Sequence, residues 1–386
     1  MFKMLLQNVL LGAALGLAAI THAQVPVPAP PSIGASSYIL VDFHSQTALA
    51  ERDSEAPVEP ASITKLMTSY IAFREIARGN LNLDDEVVVS EKAWRTAGSR
   101  MFIEVGNRVR VEDLLKGIII QSGNDASVAI AEHIAGDEQV FASMMNEAAA
   151  QLGMTGTHYT NATGLPDPAM VTTARDSALL ARALISEFPD FYSWYSEREF
   201  TFGGIRQHNR NRLLWRDPSV DGLKTGHTSS AGYCLVTSAS REGMRLISVV
   251  MGTDSEDARA SASQALLNYG FRFFETYQLY DAGLELSRER LWKGRSDDLA
   301  LGIEEDLFVT VQRGRYDELN ASMELPGQLL APVAEGEVLG ELVIRLDGEM
   351  VASRPLVALA AVEEAGFFGR TSDGLRLWLG GLFGND

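Results

Sequence analysis

The chain has 386 residues, of which 46% are hydrophobic and 22% are charged. These proportions are typical of a globular protein and exclude a disordered chain or a polytopic membrane protein. The 33 basic and 51 acidic residues give a formal net charge of −18, which argues against a nucleic-acid binder, because such proteins need clustered basic charge. The single cysteine, Cys234, excludes a disulfide bond within the chain.

The first 23 residues have the composition of an export signal. Lys3 supplies a positive start, residues 9–20 form an apolar run, and Ala23 is a small residue suited to cleavage. The alternative is a retained membrane-spanning helix, but that would need about 20 apolar residues. We therefore expect residues 1–23 to be a signal peptide and the exported chain to begin near Gln24, ahead of a proline-rich lead-in.

Hydrophobic periodicity predicts a mixed body of helices and strands between about residue 33 and residue 274. Its predicted elements are a strand at 37–41, helices at 63–70, 111–120, 126–134 and 175–185, strands at 222–228, 233–239 and 244–251, and a helix at 260–269. Turn residues separate the three consecutive strands, so an antiparallel meander is expected there. The fold class indicated for this body is α+β.

Residues 275–365 are predicted to form a separate, small all-β domain. This stretch is acidic and contains short apolar runs between Gly, Asp and Pro turns. The best strand candidates are residues 306–311, 337–344 and 355–361. No set of residues in this domain indicates catalysis.

Residues 366–386 are predicted to form a C-terminal amphipathic helix. Five large apolar residues fall on one face of a helical wheel, namely Phe368, Leu375, Trp378, Leu379 and Leu382. The charges of Arg370, Asp373 and Arg376 argue against a helix that crosses a bilayer. A helix lying in a membrane surface fits better, and the alternative is a terminal helix docked on the protein itself.

Three short motifs occur in a fixed order: S-x-x-K at Ser62–Lys65, S-x-N at Ser122–Asn124 and K-T-G at Lys224–Gly226. Each is weak alone, since Ser62 could be only a helix N-cap and Ser122-Gly123-Asn124 a plain turn. Their contexts agree, however: the first opens a helix, the second lies between helices, and the third lies on the first strand of the meander. Together they indicate a serine-active acyltransferase that reacts with penicillin.

The chemistry of the first motif requires a nucleophile and a base. Ser62 and Lys65 are three residues apart on one helix, so their side chains share a face. A serine hydroxyl needs an adjacent base, and lysine can be that base only if burial or a nearby cation lowers its pKa. Lys224 could be this second cation. At a helix N-terminus the backbone N–H of Ser62 is also free to bind an oxyanion.

The other two motifs suit proton transfer and substrate binding. Ser122 can relay a proton between Lys65 and a leaving amine, and Asn124 can hold a substrate amide. A K-T-G strand at a cleft edge can pair with an extended peptide, so that Lys224 and Thr225 meet its terminal carboxylate. The six histidines show no metal-binding spacing, and no phosphate loop or dinucleotide fingerprint occurs. No cofactor or metal is therefore expected.

The sequence resembles the low-molecular-mass penicillin-binding proteins, the serine-type D-alanyl-D-alanine carboxypeptidases. Besides the three motifs, the resemblance is carried by residues 60–65, 121–126, 200–202, 204–207, 209–211, 220–228, 270–276 and 366–369. It implies a catalytic domain of the serine β-lactamase/transpeptidase type at residues 24–274, with an antiparallel sheet between helices. It also implies a β-domain stalk at 275–365 and a membrane anchor at 366–386, on the periplasmic face of the inner membrane.

The resemblance further implies roles for individual residues. Ser62 would be acylated by the penultimate D-alanine of a peptidoglycan pentapeptide, or by a β-lactam, with Lys65 as its base. Ser122 and Lys224 would handle protons and the carboxylate, and the N–H groups of Ser62 and His227 would form the oxyanion hole. The residues expected to bind substrate are Asn124, Thr225, Gly226, His227, Arg210 and Arg259.

Three other functions are weighed against this one. A class A-like β-lactamase needs a glutamate base for deacylation, and no convincing one precedes the K-T-G motif. A DD-endopeptidase that cleaves cross-links uses the same acyl chemistry and stays open, as do the deacylation base and the oligomeric state. A non-catalytic wall-binding protein would not need Ser62, Lys65 and Lys224, which are all intact.

Overall fold

The computed structural model describes residues 27–371, 373, 374 and 376. The strands are β1 (Ser37–Asp42), β2 (Ala48–Arg52), β3 (Glu86–Val88), β4 (Arg108–Arg110), β5 (Glu199–Phe202), β6 (Ile205–His208), β7 (Val220–Thr228), β8 (Gly232–Arg241), β9 (Met244–Thr253), β10 (Phe274–Tyr280), β11 (Ser287–Trp292), β12 (Asp298–Gly302), β13 (Leu307–Gln312), β14 (Asn320–Glu324), β15 (Leu329–Leu330), β16 (Val338–Leu346) and β17 (Glu349–Ala358). The α-helices are α1 (Lys65–Ala77), α2 (Glu91–Arg95), α3 (Val111–Lys116), α4 (Asn124–Ala135), α5 (Glu138–Gln151), α6 (Ala174–Glu187), α7 (Pro189–Tyr192), α8 (Leu213–Arg216) and α9 (Glu256–Phe273).

A five-stranded antiparallel sheet, in the order β2-β1-β9-β8-β7, forms the centre of the first domain. Successive side chains of a strand point to opposite faces. On β9, Leu246 and Val250 pack in the apolar cluster that contains α9, while Ile247 and Val249 pack in the cluster of α1, α3, α4 and α6. The sheet therefore has helices on both faces, and β7 is an edge strand.

The predicted α+β class and antiparallel meander are confirmed. Side-chain caps fix where several helices begin: Thr173 Oγ1 accepts from Asp176 N (3.0 Å) at α6, and Ser255 Oγ accepts from Ala258 N (3.1 Å) at α9. The predicted helix at 111–120 is divided into α3 and a π-helical turn, Gly117–Gln121. This turn leads directly to the S-x-N motif.

The β domain contains a six-stranded sheet, in the order β14-β16-β17-β12-β11-β15, and a two-stranded sheet of β10 and β13. The strand predicted at 355–361 is misplaced, because β17 runs from Glu349 to Ala358. Pro355 lies inside it, where a central strand would lose a backbone N–H. β17 pairs with β12 at Val357 and Ala358, and no described strand pairs with Pro355 on that edge.

A chain of hydroxyl groups joins the two domains. Thr276 Oγ1 donates to Asp42 Oδ2 (2.6 Å), and Thr310 Oγ1 lies 2.8 Å from Thr276 Oγ1 and 2.6 Å from Ser45 Oγ. The ring of His44 stacks on a phenylalanine of β13 at 4.5 Å. α9 ends at Phe273 and β10 begins at the next residue, so the β domain follows the first domain without a linker.

The end of the described chain contacts the β domain. Residues 367–371, 373, 374 and 376 have helical backbone, and the buried Asp373 accepts a hydrogen bond from Lys293 N (2.8 Å). Phe367 and Phe368 are 68% and 86% exposed. The signal peptide predicted at 1–23 and the residues Leu375, Trp378, Leu379 and Leu382 lie outside the described residues. Within the described part of the chain, no helix combines the length and apolar character required to cross a bilayer.

Candidate active site

Ser62 lies in a 3₁₀ turn, Ala61–Thr64, and Lys65 is the first residue of the α-helix that follows. Lys65 Nζ donates hydrogen bonds to Ser62 Oγ (3.2 Å) and to the carbonyl oxygen of Thr163 (2.5 Å). The segment that carries Thr163 packs directly on the turn, since a Cβ at Gly164 would lie 1.8 Å from Ala61 O. Gly164 also has φ +79°, which favours glycine. This glycine therefore permits the close approach that places the Thr163 carbonyl beside the lysine.

The environment of Lys65 favours its neutral form. Its side chain is completely buried, and this burial lowers its pKa from 10.5 to about 7, with a further contribution from the charge of Arg210. The carboxylate of Asp125 acts in the opposite direction. A lysine with this pKa is about half neutral near pH 7, so it can accept the proton of Ser62.

Lys224 lies on the edge strand β7 and is also buried. Burial first, and then the charges of Lys65, Arg210 and Arg259, hold its pKa well below the ordinary lysine value. Its Nζ donates to the carbonyl oxygen of Thr225 (3.2 Å). Two buried lysines thus lie behind the cleft, and the surroundings of each lysine favour its neutral form.

Two arginines line the cleft. The exposed Arg210 donates from Nε to Gln121 O (3.2 Å), and the buried Arg259 donates from Nη1 to Gly226 O (3.1 Å). The guanidinium of Arg259 also lies 5.5 Å from the ring centre of Tyr233. Arginine is well suited to bind carboxylates through paired N–H groups.

The S-x-N motif follows the π-helical turn. Ser122 has a left-handed conformation (φ 66°, ψ 38°), and α4 begins at Asn124. The hydroxyl oxygen of Ser122 is buried and has no hydrogen-bond partner among residues 27–371. Asn124 is held in place, because its Nδ2 donates to Ala97 O (2.6 Å) and its backbone N–H to Ser99 O (2.7 Å). The hydroxyl of Ser122 is thus available to an incoming group.

Asp125 is a site-forming residue that sequence analysis did not single out. Its buried carboxylate accepts the N–H groups of Met101 (3.0 Å), Phe102 (3.0 Å) and Ile103 (3.3 Å), and its own helix supplies a fourth donor, Ala126 N (2.9 Å). A carboxylate that accepts several N–H groups is strongly stabilised. Asp125 therefore fixes the 98–103 loop, which forms one wall of the cleft, to the start of α4.

We expect Asp125→Asn to lower the free energy of unfolding by about 1.5–3 kcal/mol, the usual contribution of hydrogen bonds to a charged group. The variant should also acylate more slowly, because the loop that holds Asn124 is released. Chemical denaturation and the rate of penicillin labelling measure the two effects. The matched control is Asp306→Asn, since the exposed Asp306 accepts one backbone N–H, from Ala282 (2.8 Å). Unchanged stability and labelling in Asp125→Asn would contradict this role.

The cleft has a volume of about 420 Å³, and its lining includes eight of the ten predicted site residues: Ser62, Ser122, Asn124, Arg210, Thr225, Gly226, His227 and Arg259. The other two, Lys65 and Lys224, lie buried behind it. Sequence reasoning missed several lining residues, namely Gly98, Ser99, Thr163, Gly164, Leu165, Thr228, Tyr233 and Glu256. Thr228 and Tyr233 adjoin a motif or its paired strand, but nothing local in the sequence marks the segments around Ser99 or Thr163.

The arrangement can carry out acyl transfer. A hydroxyl nucleophile lies beside a buried lysine of near-neutral pKa, a second hydroxyl has no partner among the described residues, and two arginines line the same space. The sheet edge β7 borders the same space. No group of three or more His, Cys, Asp or Glu side chains arranged to hold a metal ion occurs among the described residues.

Comparison with known proteins agrees with this geometry. The family described as D-alanyl-D-alanine carboxypeptidase matches residues 24–255, and the family described as penicillin-binding protein 5, C-terminal domain, matches residues 274–364. The chain is 43% identical over 366 residues to the D-alanyl-D-alanine carboxypeptidase DacA of Escherichia coli strain K12, covering 93% of this chain and 91% of that protein.

Two solved structures are similar to the fold. Penicillin-binding protein 5 from Haemophilus influenzae superposes with a TM-score of 0.85 at 42% identity, covering 87% of this chain and all of that one. Penicillin-binding protein D2 from Listeria monocytogenes, solved in its ampicillin-bound form, has a TM-score of 0.59 at 28% identity and covers 63% of this chain and all of that one. The catalytic motifs, the two-domain fold and these matches agree, and the chain belongs to the D-alanyl-D-alanine carboxypeptidase family of penicillin-binding proteins.

Proposed function

We propose that the protein removes the terminal D-alanine from peptidoglycan pentapeptide stems through a serine acyl-enzyme, which limits cross-linking, and that β-lactams acylate the same serine. One observation carries this proposal: Lys65 Nζ lies 3.2 Å from Ser62 Oγ, fully buried, with a pKa of about 7. This pair supplies an activated nucleophile near neutral pH.

The residues that border the cleft indicate how the substrate binds. The stem peptide pairs with the edge of β7, and Asn124 holds its amide. Thr225, Arg210 and Arg259, which all line the cleft, hold the terminal carboxylate. The carbonyl of the penultimate D-alanine is thereby placed next to Ser62.

Acylation then needs two proton transfers. Lys65 takes the proton of Ser62 as Oγ attacks, and the N–H groups of Ser62 and His227 bind the oxyanion. Ser122, whose hydroxyl is buried and unpartnered within the described chain, passes a proton to the leaving amine. D-alanine departs, and water later hydrolyses the ester on Ser62.

The position of Glu256 argues against a β-lactamase of the class A type. Among the described residues that line the cleft, Glu256 is the one carboxylate. It is paired with Arg212 (2.8 Å) and lies 3.9 Å from Arg259, one of the residues proposed to hold the substrate carboxylate. A glutamate that activates the deacylating water would have to lie beside the ester instead.

The test is release of D-alanine from a soluble pentapeptide, measured together with covalent labelling by a fluorescent penicillin. We expect both. Rapid turnover of penicillin without stable labelling would favour the β-lactamase, and absence of both reactions would favour the non-catalytic alternative.

We also propose that the exported protein lies in the periplasm and is attached to the inner membrane through residues 366–386. The domain boundaries that we propose are 1–23, 24–274, 275–365 and 366–386. Phe367 and Phe368 are largely exposed at the start of the last segment. Further along the sequence, Trp378 and Leu382 belong to its predicted apolar face. Burial of each such side chain contributes about 1.5–3 kcal/mol at best, which suits reversible attachment.

A chain that ends at Ala365 is expected to leave the membrane fraction and still release D-alanine from a soluble peptide. In the full-length protein, Trp378→Glu combined with Leu382→Glu should have the same effect, because charge on the apolar face opposes insertion. Membrane fractionation and the D-alanine assay measure the outcome. If the shortened chain stays with the membrane, the anchor lies elsewhere, and a retained N-terminal segment becomes the candidate.

A further inference from the structure

A short turn at residues 161–165 contributes three residues to the wall of the catalytic cleft, whereas Asn161, its first residue, does not line the cleft. The carbonyl oxygen of Thr163 in this turn accepts a hydrogen bond from Lys65 Nζ, which also contacts Ser62 Oγ. The conformation of the turn thus sets a hydrogen-bond partner of the proposed base.

The side-chain amide of Asn161 closes this turn. Its Oδ1 accepts three hydrogen bonds, from Thr163 N (3.0 Å), Thr163 Oγ1 (2.8 Å) and Gly164 N (2.8 Å). Its Nδ2 donates to Leu165 O (3.1 Å). Asparagine commonly stabilises turns by bonding to backbone groups two residues on. One side chain thus holds the backbone of the three residues that line the cleft.

The bond to Gly164 N sets the direction of the Thr163 carbonyl. A trans peptide unit is planar, so its C=O and N–H point in opposite directions, and the Thr163–Gly164 peptide is trans. Because its N–H points to Asn161 Oδ1, its carbonyl oxygen faces the other way, toward Lys65 Nζ. Gly164 has φ +79°, and glycine has access to both signs of φ, so this peptide could rotate if the bond were absent.

Ala162, which follows Asn161, is fixed to two helices independently of that amide. Its carbonyl oxygen accepts from Thr68 Oγ1 on α1 (2.7 Å), and its N–H donates to Glu138 Oε1 on α5 (3.2 Å). These bonds hold the start of the turn in place. Loss of the Asn161 amide would therefore release mainly the peptide that follows Thr163.

The Thr163 carbonyl orients the amine of Lys65. A neutral amine has two N–H groups and one lone pair, and it accepts a proton only through the lone pair. When one N–H is bonded to Thr163 O, the lone pair can face the hydroxyl of Ser62, 3.2 Å away. Once Lys65 has taken the proton, the same carbonyl accepts from the ammonium group. A base held in this way is aligned for proton transfer, whereas a rotated amine is not.

We propose that Asn161 is a positioning residue for the general base: its amide oxygen directs the Thr163 carbonyl to Lys65. The lone pair of the amine is thereby kept toward the hydroxyl of Ser62. Asn161 acts through the intervening peptide, since it does not itself line the cleft. This inference rests on the proposed function, because it concerns the same nucleophile and base.

The test measures the rate of acylation by a fluorescent penicillin in full-length Asn161→Ala between pH 5 and 9. The variant loses the hydrogen bonds of the amide. Its rate on the plateau above the pKa of Lys65 should fall about 10–100-fold, because misplacement by about 1 Å can cost 10²-fold. Comparison on the plateau, where Lys65 is neutral, separates the position of the base from its protonation.

Asn161→Asp is the conservative variant. It keeps an oxygen acceptor for the N–H groups of the turn, so it should recover most of the plateau rate that Asn161→Ala loses. The new carboxylate is separated from Lys65 by one peptide unit, and a nearby negative charge favours the protonated lysine. The other charges that act on Lys65 are unchanged by the substitution, namely those of Arg210, Asp125 and Lys224. The rise of the rate should therefore move to higher pH, a shift that loss of stability alone would not produce.

Asn146→Ala is the control, because the Asn146 amide holds the same chain segment at a different place. Its Oδ1 accepts from Tyr159 N (2.8 Å) and its Nδ2 donates to Tyr159 O (2.8 Å), two residues before the turn. We expect Asn146→Ala to lose stability in thermal unfolding but to keep the wild-type plateau rate, since the peptide that faces Lys65 is not released.

The outcomes separate the two proposals. If the wild-type protein fails to label with penicillin or to release D-alanine, the proposed function fails. If it does both, only the positioning role fails when Asn161→Ala keeps the wild-type plateau, when Asn146→Ala loses as much, or when Asn161→Asp is as slow as Asn161→Ala. Should Asn161→Ala not fold, the pH profile of Asn161→Asp decides, and a profile identical to that of the wild-type protein would overturn the role.

Discussion

Ser62→Ala is expected to abolish covalent labelling by penicillin and release of D-alanine while leaving the fold intact. The change removes the oxygen that forms the acyl-enzyme. The lysine beside it keeps a partner, because Lys65 Nζ also donates to Thr163 O. Labelling on a denaturing gel and thermal unfolding of the same sample measure both parts of the prediction.

The control is a change at a second serine. It shows whether loss of labelling is specific to Ser62 or follows from removing any serine hydroxyl. Ser143 lies exposed on α5 and donates to Gln139 O (3.2 Å), so Ser143→Ala should label at the wild-type rate. Labelling that persists in folded Ser62→Ala would show that another residue is acylated, and the assignment of the first motif would be wrong.

The relation between Ser62 and Lys65 could be anticipated because it is local. Residues three apart on a helical turn share a face, and the structure places the two side chains in contact. The meander of β7, β8 and β9 was predictable for a similar reason, since apolar stretches alternate with turn residues in one continuous segment. These features depend on few residues that are close in sequence.

The walls of the site were not predictable in this way. The Thr163 carbonyl reaches Lys65 across 98 positions, and the carboxylate of Asp125 binds N–H groups 22–24 residues before it. Such contacts appear only when the whole domain has folded. The Q-S-G-N-D-A segment contained Asp125 but gave no sign of its partners, and the need for glycine at Gly164 depends on a distant turn.

The first half of β17 was missed for a different reason. Residues 349–351 are exposed, so they lack the alternation of apolar and polar residues that marks a half-buried strand. The prediction began at Pro355, a residue that usually marks an edge or a break. The strand is instead defined by its pairing with β16 from Leu346 to Val338, which the sequence of β17 does not encode.

Lys65→Arg is expected to slow acylation by penicillin and by peptide about 10²–10⁴-fold, the usual contribution of a general base. Lysine can lose its proton when buried, but the guanidinium group of arginine stays protonated. The variant keeps the positive charge, so loss of activity would report loss of the base. Lys92→Arg is the control, because Lys92 lies at the surface in an ion pair with Glu138 (2.8 Å).

The pH dependence provides an independent measurement of the same base. Lysine is neutral above its pKa, so the acylation rate of the wild-type protein should rise as the pH increases through about 7, the pKa to which burial lowers Lys65. In Lys65→Arg this rise should disappear, since no group of that pKa remains at the position. Stopped-flow acylation between pH 5 and 9, with circular dichroism to confirm the fold, gives both profiles. A Lys65→Arg protein that acylates at nearly the wild-type rate, or a wild-type rate that falls as the pH rises from 6 to 8, would exclude neutral Lys65 as the base.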